Sequence, residues 1–356
     1  MEHYTVKTQV LAVNGQQPQA EAIAQAADVI RRGGLVAFPT ETVYGLGANA
    51  LDAAAIDRIY KAKQRPYHDP IIAHINTAHD LPRLAKNIPD AAYKLAQMFW
   101  AGPLTMVLTR ADHVPAVLSA QMPTVAIRMP SHPVARALID AAGTPIAAPS
   151  ANTFTRPSST SAEHVLEDLN GHVDLILDGG ETTIGIESTV IDMTQAVPVV
   201  LRPGGVLLED LRRVIPEVKM VTRFTEMDKD TPSSSPGTMA KHYSPRAEVL
   251  LFDGEHSAVL NHMRDTARQI IADHKRVGIL TTTEEATFFT ETGARIISLG
   301  NRDNLEEMAH VLFGAMRALD KQNCDKILVR AYSKDGIGEA IWDRLLRAAE
   351  GKIIQV

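Results

Sequence analysis

The sequence predicts an α/β protein built as two domains. Helix-like stretches alternate with short apolar runs through roughly the first two hundred residues. A Pro/Ser-rich stretch without apolar period then interrupts them, and the same alternation resumes afterwards. At 356 residues the chain is long enough to bury two separate cores.

The elements follow in order. Ala20 to Arg32 is an Ala-rich helix stopped by Gly33-Gly34, and Leu35 to Phe38 is a strand. Ala53 to Lys63 and Ala91 to Phe99 are helices, the second ended by Trp100 and Gly102-Pro103. Leu104 to Leu108 and Val125 to Ile127 are strands. His132 to Ala142 is a helix closed by Gly143, followed by the strand Ile146 to Ala148. A helix over His164 to Leu169 and a strand over Val173 to Leu177 complete the alternation, and further β-branched runs reach Asp192. Beyond the interruption come strands at Glu248 to Phe252, Val277 to Leu280, Ile296 to Leu299 and Lys326 to Val329. Between and after them lie helices at Ala258 to Asp273, Leu305 to Gln322 and Gly338 to Ala349. That spacing predicts a small parallel, Rossmann-like sheet. The boundaries are a first domain over 1–215, a linker over 216–246 and a second domain over 247–356.

Composition narrows the function. Net charge is −6 and the pI about 6.1, which argues against general nucleic-acid affinity while leaving room for a local basic pocket. Hydrophobic content of 45% excludes wholesale disorder. Cys324 is the single cysteine, so neither an intramolecular disulfide nor a CxxC knuckle exists, and a cytoplasmic location is expected. The amino-terminal residues lack the basic and apolar regions of a signal peptide. No apolar run approaches the roughly 20 residues of a membrane span. The sequence lacks GxGxxG and Walker patterns, and its thirteen histidines form no HExxH.

Four segments carry chemistry. In Lys61-Ala-Lys63-Gln-Arg65-Pro66, three cations stand at a helix end fixed by proline. Guanidinium and ammonium at a fixed turn suit phosphate, and they equally complement a helix dipole. Pro39-Thr40-Glu41-Thr42-Val43-Tyr44-Gly45-Leu46-Gly47 follows a strand and gathers hydroxyls, a carboxylate and glycines; it could orient a ligand or cap a helix. Ser150-Ala-Asn152 lies past a strand end, where it could meet a ligand or form a local turn. Ser188-Thr-Val-Ile-Asp192 is followed by Arg202-Pro-Gly. From the residues alone the site binds a phosphorylated or carboxylated small molecule by positioning it and neutralising its charge.

With Pro70-Ile-Ile-Ala-His74-Ile, Ala126-Ile-Arg128-Met-Pro and Ser235-Pro-Gly-Thr-Met-Ala-Lys-His-Tyr243-Ser-Pro, these segments resemble in order the YrdC-like family, and more closely its two-domain threonylcarbamoyl-AMP synthases. Within the linker motif, Thr238, Met239 and Ala240 stand where a Lys or Arg is often found, and Asp69 stands where Asn is frequent. The resemblance implies a twisted mixed sheet with helices, joined by the linker to the Rossmann-like domain. It implies a nucleotidyltransferase that makes threonylcarbamoyl-AMP and pyrophosphate from L-threonine, bicarbonate and ATP. The product would feed the threonylcarbamoyl modification of tRNA through downstream transfer proteins, and magnesium would arrive with ATP. The implied catalytic residues are Lys63 and Arg65. The implied ATP contacts are Lys61, Lys63, Arg65, Ser150, Asn152, Arg202 and Tyr243, with the linker folded over the mouth of the pocket. Thr40, Thr42, Tyr44, His74, Arg128 and Ser188 would line the threonine and bicarbonate end. The alternative is an RNA-binding module of the same fold without catalysis; direct tRNA binding is left open by the sequence.

Overall fold

The computed structural model describes residues 6–221 and 242–356. Most of the predicted linker, including Thr238 to Lys241, lies outside the described residues. The chain divides into two compact units: residues 6–154 with 158–221, and residues 155–157 with 242–356.

In the first unit, β1 (Gln9–Ala12) and α1 (Ala20–Arg31) precede a hairpin of β2 (Val36–Phe38) and β3 (Gly45–Asn49). Then come α2 (Ala53–Lys63), β4 (Ile72–His74), α3 (Asp90–Phe99), β5 (Leu104–Thr109) and β6 (Thr124–Arg128). After α4 (Pro133–Ala142) follow β7 (Ile146–Ala147), α5 (Ala162–Leu169), β8 (Leu175–Asp178), β9 (Thr189–Asp192), β10 (Val199–Arg202), α6 (Leu208–Val214) and β11 (Lys219–Met220). The strands form one mixed sheet in the order β1-β8-β2-β3-β7-β4-β6-β5-β9-β10-β11.

Local chemistry explains the elements nearest the site. The Asp52 carboxylate caps α2 by accepting from the amides of Ala54 and Ala55 at 2.9 and 3.2 Å. The helix ends in a left-handed Gln64, two residues before Pro66. The Thr40–Gly47 segment is a hairpin entering β3 and caps no helix. Its glycines serve close packing, because a Cβ on Gly47 would stand 2.7 Å from the Phe38 ring.

The second unit contains β12 (Glu248–Asp253), α7 (His256–Ala272), β13 (Val277–Thr281), β14 (Arg295–Ser298), α8 (Leu305–Lys321), β15 (Lys326–Arg330), α9 (Gly338–Ala348) and β16 (Ile353–Gln355). Its sheet is parallel throughout, in the order β14-β13-β15-β12-β16. Phe252, Met263, Ile279, Phe289 and Leu328 form part of its core. Among the described residues of the chain, no helix is long and apolar enough to cross a membrane.

Candidate functional site

The site grows out of strand alternation. Along β5, Leu104, Met106 and Leu108 enter the main core, so Thr105 and Val107 face the other way. In β6, Val125 and Ile127 are core, leaving Ala126 and Arg128 on that second face. Register aligns His74 of β4 with Arg128, and Arg128 with Thr105 of β5. A polar row of His74, Arg128 and Thr105 therefore stands beside a small apolar patch of Ile72, Ala126, Val107 and Val190. Sheet register, rather than any local motif, produces this row.

Arg128 and Thr105 are tied to neighbouring segments. The Arg128 guanidinium lies 2.7 Å from the Glu41 carboxylate and donates to the Thr42 hydroxyl at 2.8 Å. Thr42 and Thr40 share a hydroxyl contact at 2.9 Å, and Thr40 donates to the Val43 carbonyl at 2.6 Å. Glu41 also accepts from the Ser131 amide at 3.1 Å. On the other side, Thr105 and Ser188 exchange a hydrogen bond of 2.8 Å between hydroxyls. Arg202 donates to the Ser188 carbonyl at 2.9 Å and to its hydroxyl at 3.3 Å. Burial and the adjacent Arg128 push the His74 imidazole down to about 3, so it is neutral at physiological pH. Its Nδ1 is buried without a hydrogen-bond partner among the described residues. Tyr44 donates to the Gly180 carbonyl at 2.6 Å, and burial with the nearby Asp178 raises its phenol.

The cations of the α2 terminus converge on the same region. Lys63 is buried; its ammonium donates to the Ser150 carbonyl at 2.6 Å and to the Asn152 carbonyl. It thereby ties the Ser-Ala-Asn loop to the end of α2. The Asn152 amide donates to the Thr153 carbonyl at 2.8 Å, and Ser150 forms a bridge with Gly45. Arg65, also buried, stands 2.8 Å from the Asp69 carboxylate and donates to the Pro70 carbonyl at 2.7 Å. The Asp69 contact is a charge pair without hydrogen-bond alignment. Burial pushes the Asp69 carboxyl up, while Arg65, Lys63, His68 and Arg202 pull it back. One carboxylate thus stands within electrostatic reach of Lys63, Arg65 and Arg202.

Lys61 and Tyr243, the other two expected ATP contacts, have these surroundings. Lys61 pairs with Asp57 one turn earlier at 2.6 Å, and its side chain is 72% exposed. Tyr243 belongs to the second unit, where its buried ring stacks on Phe313 at 5.3 Å and lies below the Arg344 guanidinium. Glu41, Asp69 and Thr105 are members of the constellation to which sequence reasoning gave no role. Glu41 and Asp69 sit inside the quoted motifs, and a carboxylate among predicted phosphate-binding cations was the available signal. Thr105 carried none, since its position follows from register alone.

Comparisons with known proteins agree with this architecture. A family model described as Telomere recombination matches residues 28–204, and one described as Threonylcarbamoyl-AMP synthase, C-terminal domain matches residues 206–350. The threonylcarbamoyl-AMP synthase of Pyrococcus abyssi is 44% identical over 331 residues, covering 93% of this chain and 95% of its own length. This chain belongs to the threonylcarbamoyl-AMP synthase family. The family member from Bacillus subtilis is 42% identical over 334 residues, with 94% of each protein covered. The crystal structure of Pyrococcus abyssi Sua5 complexed with L-threonine matches with a TM-score of 0.90 at 42% identity, over 98% of this chain and 99% of that one. The family's two-domain arrangement, a large mixed sheet and a smaller parallel one, is the one described above.

Proposed function

We propose that the chain condenses L-threonine, bicarbonate and ATP into threonylcarbamoyl-AMP and pyrophosphate, as a nucleotidyltransferase serving tRNA modification. The observation that carries this reading is the joining of two clusters through Thr105, Ser188 and Arg202. One cluster, Lys63, Arg65 and Arg202 around Asp69, suits a triphosphate. The other, Arg128 with Thr40, Thr42 and neutral His74 beside an apolar patch, suits a small carboxylate bearing a methyl group. Likeness to synthases over nearly the whole chain, and to a protein solved with L-threonine, supports the assignment.

In the proposed reaction the threonine amine bonds to the bicarbonate carbon with loss of water, and the carboxylate oxygen of the resulting N-carboxythreonine attacks the α-phosphorus of ATP. A new P–O bond forms, the bond to the bridging oxygen breaks, and pyrophosphate leaves with that electron pair. The residues act mainly by positioning and charge neutralisation. Arg65 and Arg202 offer planar N–H groups to phosphate oxygens. Lys63 fixes the Ser150–Asn152 loop and adds its charge to the field. Arg128 and the Thr40–Thr42 pair hold the amino-acid end, and magnesium enters with the triphosphate. Incubation of purified protein with ATP should release pyrophosphate only when threonine and bicarbonate are both present. Equal ATP cleavage without threonine would overturn the reading.

A further inference from the structure

The carboxyl edge of the second unit's sheet carries a polar cluster that this reaction leaves unused. Strand β13 sends the chain outward to β14, whereas its neighbour β15 sends it through α9 to β16 at the opposite edge. Open α/β sheets take ligands in the crevice beyond the carboxyl ends of such a diverging pair. Thr281 and Arg330, the last residues of β13 and β15, stand at that crevice, and Glu285 follows four residues after Thr281.

Glu285 is 4% exposed and organises the cluster. It accepts from the Thr281 hydroxyl at 3.0 Å, from Arg330 Nε at 3.1 Å and from Arg330 NH2 at 2.8 Å, and it pairs with His256 Nε2 at 2.8 Å. Burial alone would raise its carboxyl, but these partners bring it down to about 2. Its lone pairs are therefore engaged, and their effect is to fix the orientation of Arg330 and His256. The Arg330 guanidinium lies 4.2 Å above the Tyr332 ring. The Tyr332 side chain is 8% exposed, and its hydroxyl is buried without a hydrogen-bond partner among the described residues. His256 is the accessible member, with its side chain 45% exposed. Arg330 NH1 also donates to the Ala331 carbonyl at 2.8 Å. What remains at the crevice is the second N–H of each outer Arg330 nitrogen, the Tyr332 hydroxyl, and His256 Nδ1, which donates only in the imidazolium form because Nε2–H serves Glu285. Donors without acceptors on a rigid support call for a ligand made of acceptor oxygens.

We propose that this crevice binds a small oxyanion, the phosphate or carboxylate group of a metabolite, held by Arg330, His256 and the Tyr332 hydroxyl. The site is built from residues of the second unit alone and does not depend on the proposed reaction.

Calorimetric titration of the full-length protein with inorganic phosphate, and separately with acetate, tests this. The same titrations are run on the Arg65→Ala protein, which lacks one first-unit cation while Lys63, Arg202 and Arg128 remain, so the second-unit site is identified by the part of the binding that is lost with Tyr332→Phe or His256→Asn. Saturable binding of one probe should persist in Arg65→Ala, and the probe that binds identifies the group. Adding Tyr332→Phe or His256→Asn to that background should weaken binding about tenfold, the usual effect of losing a hydrogen bond to a charged group. Tyr332→Phe removes only an oxygen that has no partner, so it should leave the melting temperature unchanged. Absence of saturable binding of either anion would overturn the proposal, as would equal affinities with and without Tyr332→Phe and His256→Asn. Failure of the pyrophosphate assay would leave this result standing, because binding is read directly.

Discussion

Arg65 and Asp69 face each other across 2.8 Å, with side chains only 3% and 0% exposed. A carboxylate so placed offsets part of the positive charge that Lys63, Arg65 and Arg202 present. On the proposed function, a triphosphate entering the site would compete with it. Asp69→Asn keeps the shape and removes the charge, so it should lower the KM for ATP several-fold. Removing one partner of a buried pair costs about 3–5 kcal/mol, so the unliganded variant should also melt earlier and be rescued by ATP. A KM for ATP that rises instead would mean that Asp69 acts chiefly by holding Arg65 in place.

Lys61 and Lys63 are two residues apart and should behave oppositely. Lys63 is buried and binds two loop carbonyls, whereas Lys61 forms a solvent-exposed pair with Asp57. Exposed pairs of this spacing contribute about 0.3–0.5 kcal/mol. Lys61→Ala should leave the melting temperature and pyrophosphate release close to wild type. Lys63→Ala should abolish release, and Lys63→Met should do so with less loss of folding because it retains the stem volume. Equal losses in Lys61→Ala and Lys63→Ala would show that the exposed cation does reach ATP.

Glu41 is predicted to position Arg128. Its carboxylate lies 2.7 Å from the guanidinium, which in turn donates to Thr42. Glu41→Gln retains size and acceptor capacity but not charge, so the expected stability loss is about 1–3 kcal/mol. Turnover should fall through a raised KM for threonine, with the KM for ATP little changed. Steady-state kinetics with each substrate varied separately would decide. A change confined to the KM for ATP would contradict this role.

The sequence made some of this legible and hid the rest for identifiable reasons. The end of α2 could be read because proline and the cations act locally: the helix stops at Lys63, as Pro66 requires. The closure of α4 by Gly143, with its positive φ of 67°, was legible for the same reason. Strand β3 was not, since Gly-Leu-Gly-Ala-Asn has little strand preference and is held by β2 and β7 on either side. The residues of the site could be nominated from motifs, but their pairing could not. Glu41 meets Arg128, and Thr105 meets Ser188, across more than eighty residues of chain. Such contacts follow from strand order and register, which no local pattern encodes.

His74 gives the last prediction, on stability against pH. Its ordinary value of 6.5 falls to about 3 in the folded chain, first through burial and then through Arg128. The unfolded chain takes up a proton as pH drops through 6.5, while the folded chain does so only near 3. Stability from this group is therefore fully present above 6.5 and is lost progressively between 6.5 and 3, by up to about 1.4 kcal/mol per pH unit. Buried carboxylates titrate over part of the same range, so the informative quantity is the difference between two proteins. His74→Asn offers a neutral acceptor in place of Nδ1 and cannot take up the proton. Urea unfolding of the first unit, followed by Trp100 fluorescence at pH 7, 6, 5 and 4 in a Trp342→Phe background, should show a steep decline with His74 and a shallower one with Asn. Parallel declines in the two proteins would mean that His74 is already solvated and able to charge in the folded state, and the neutral imidazole would then have to leave the description of the threonine end.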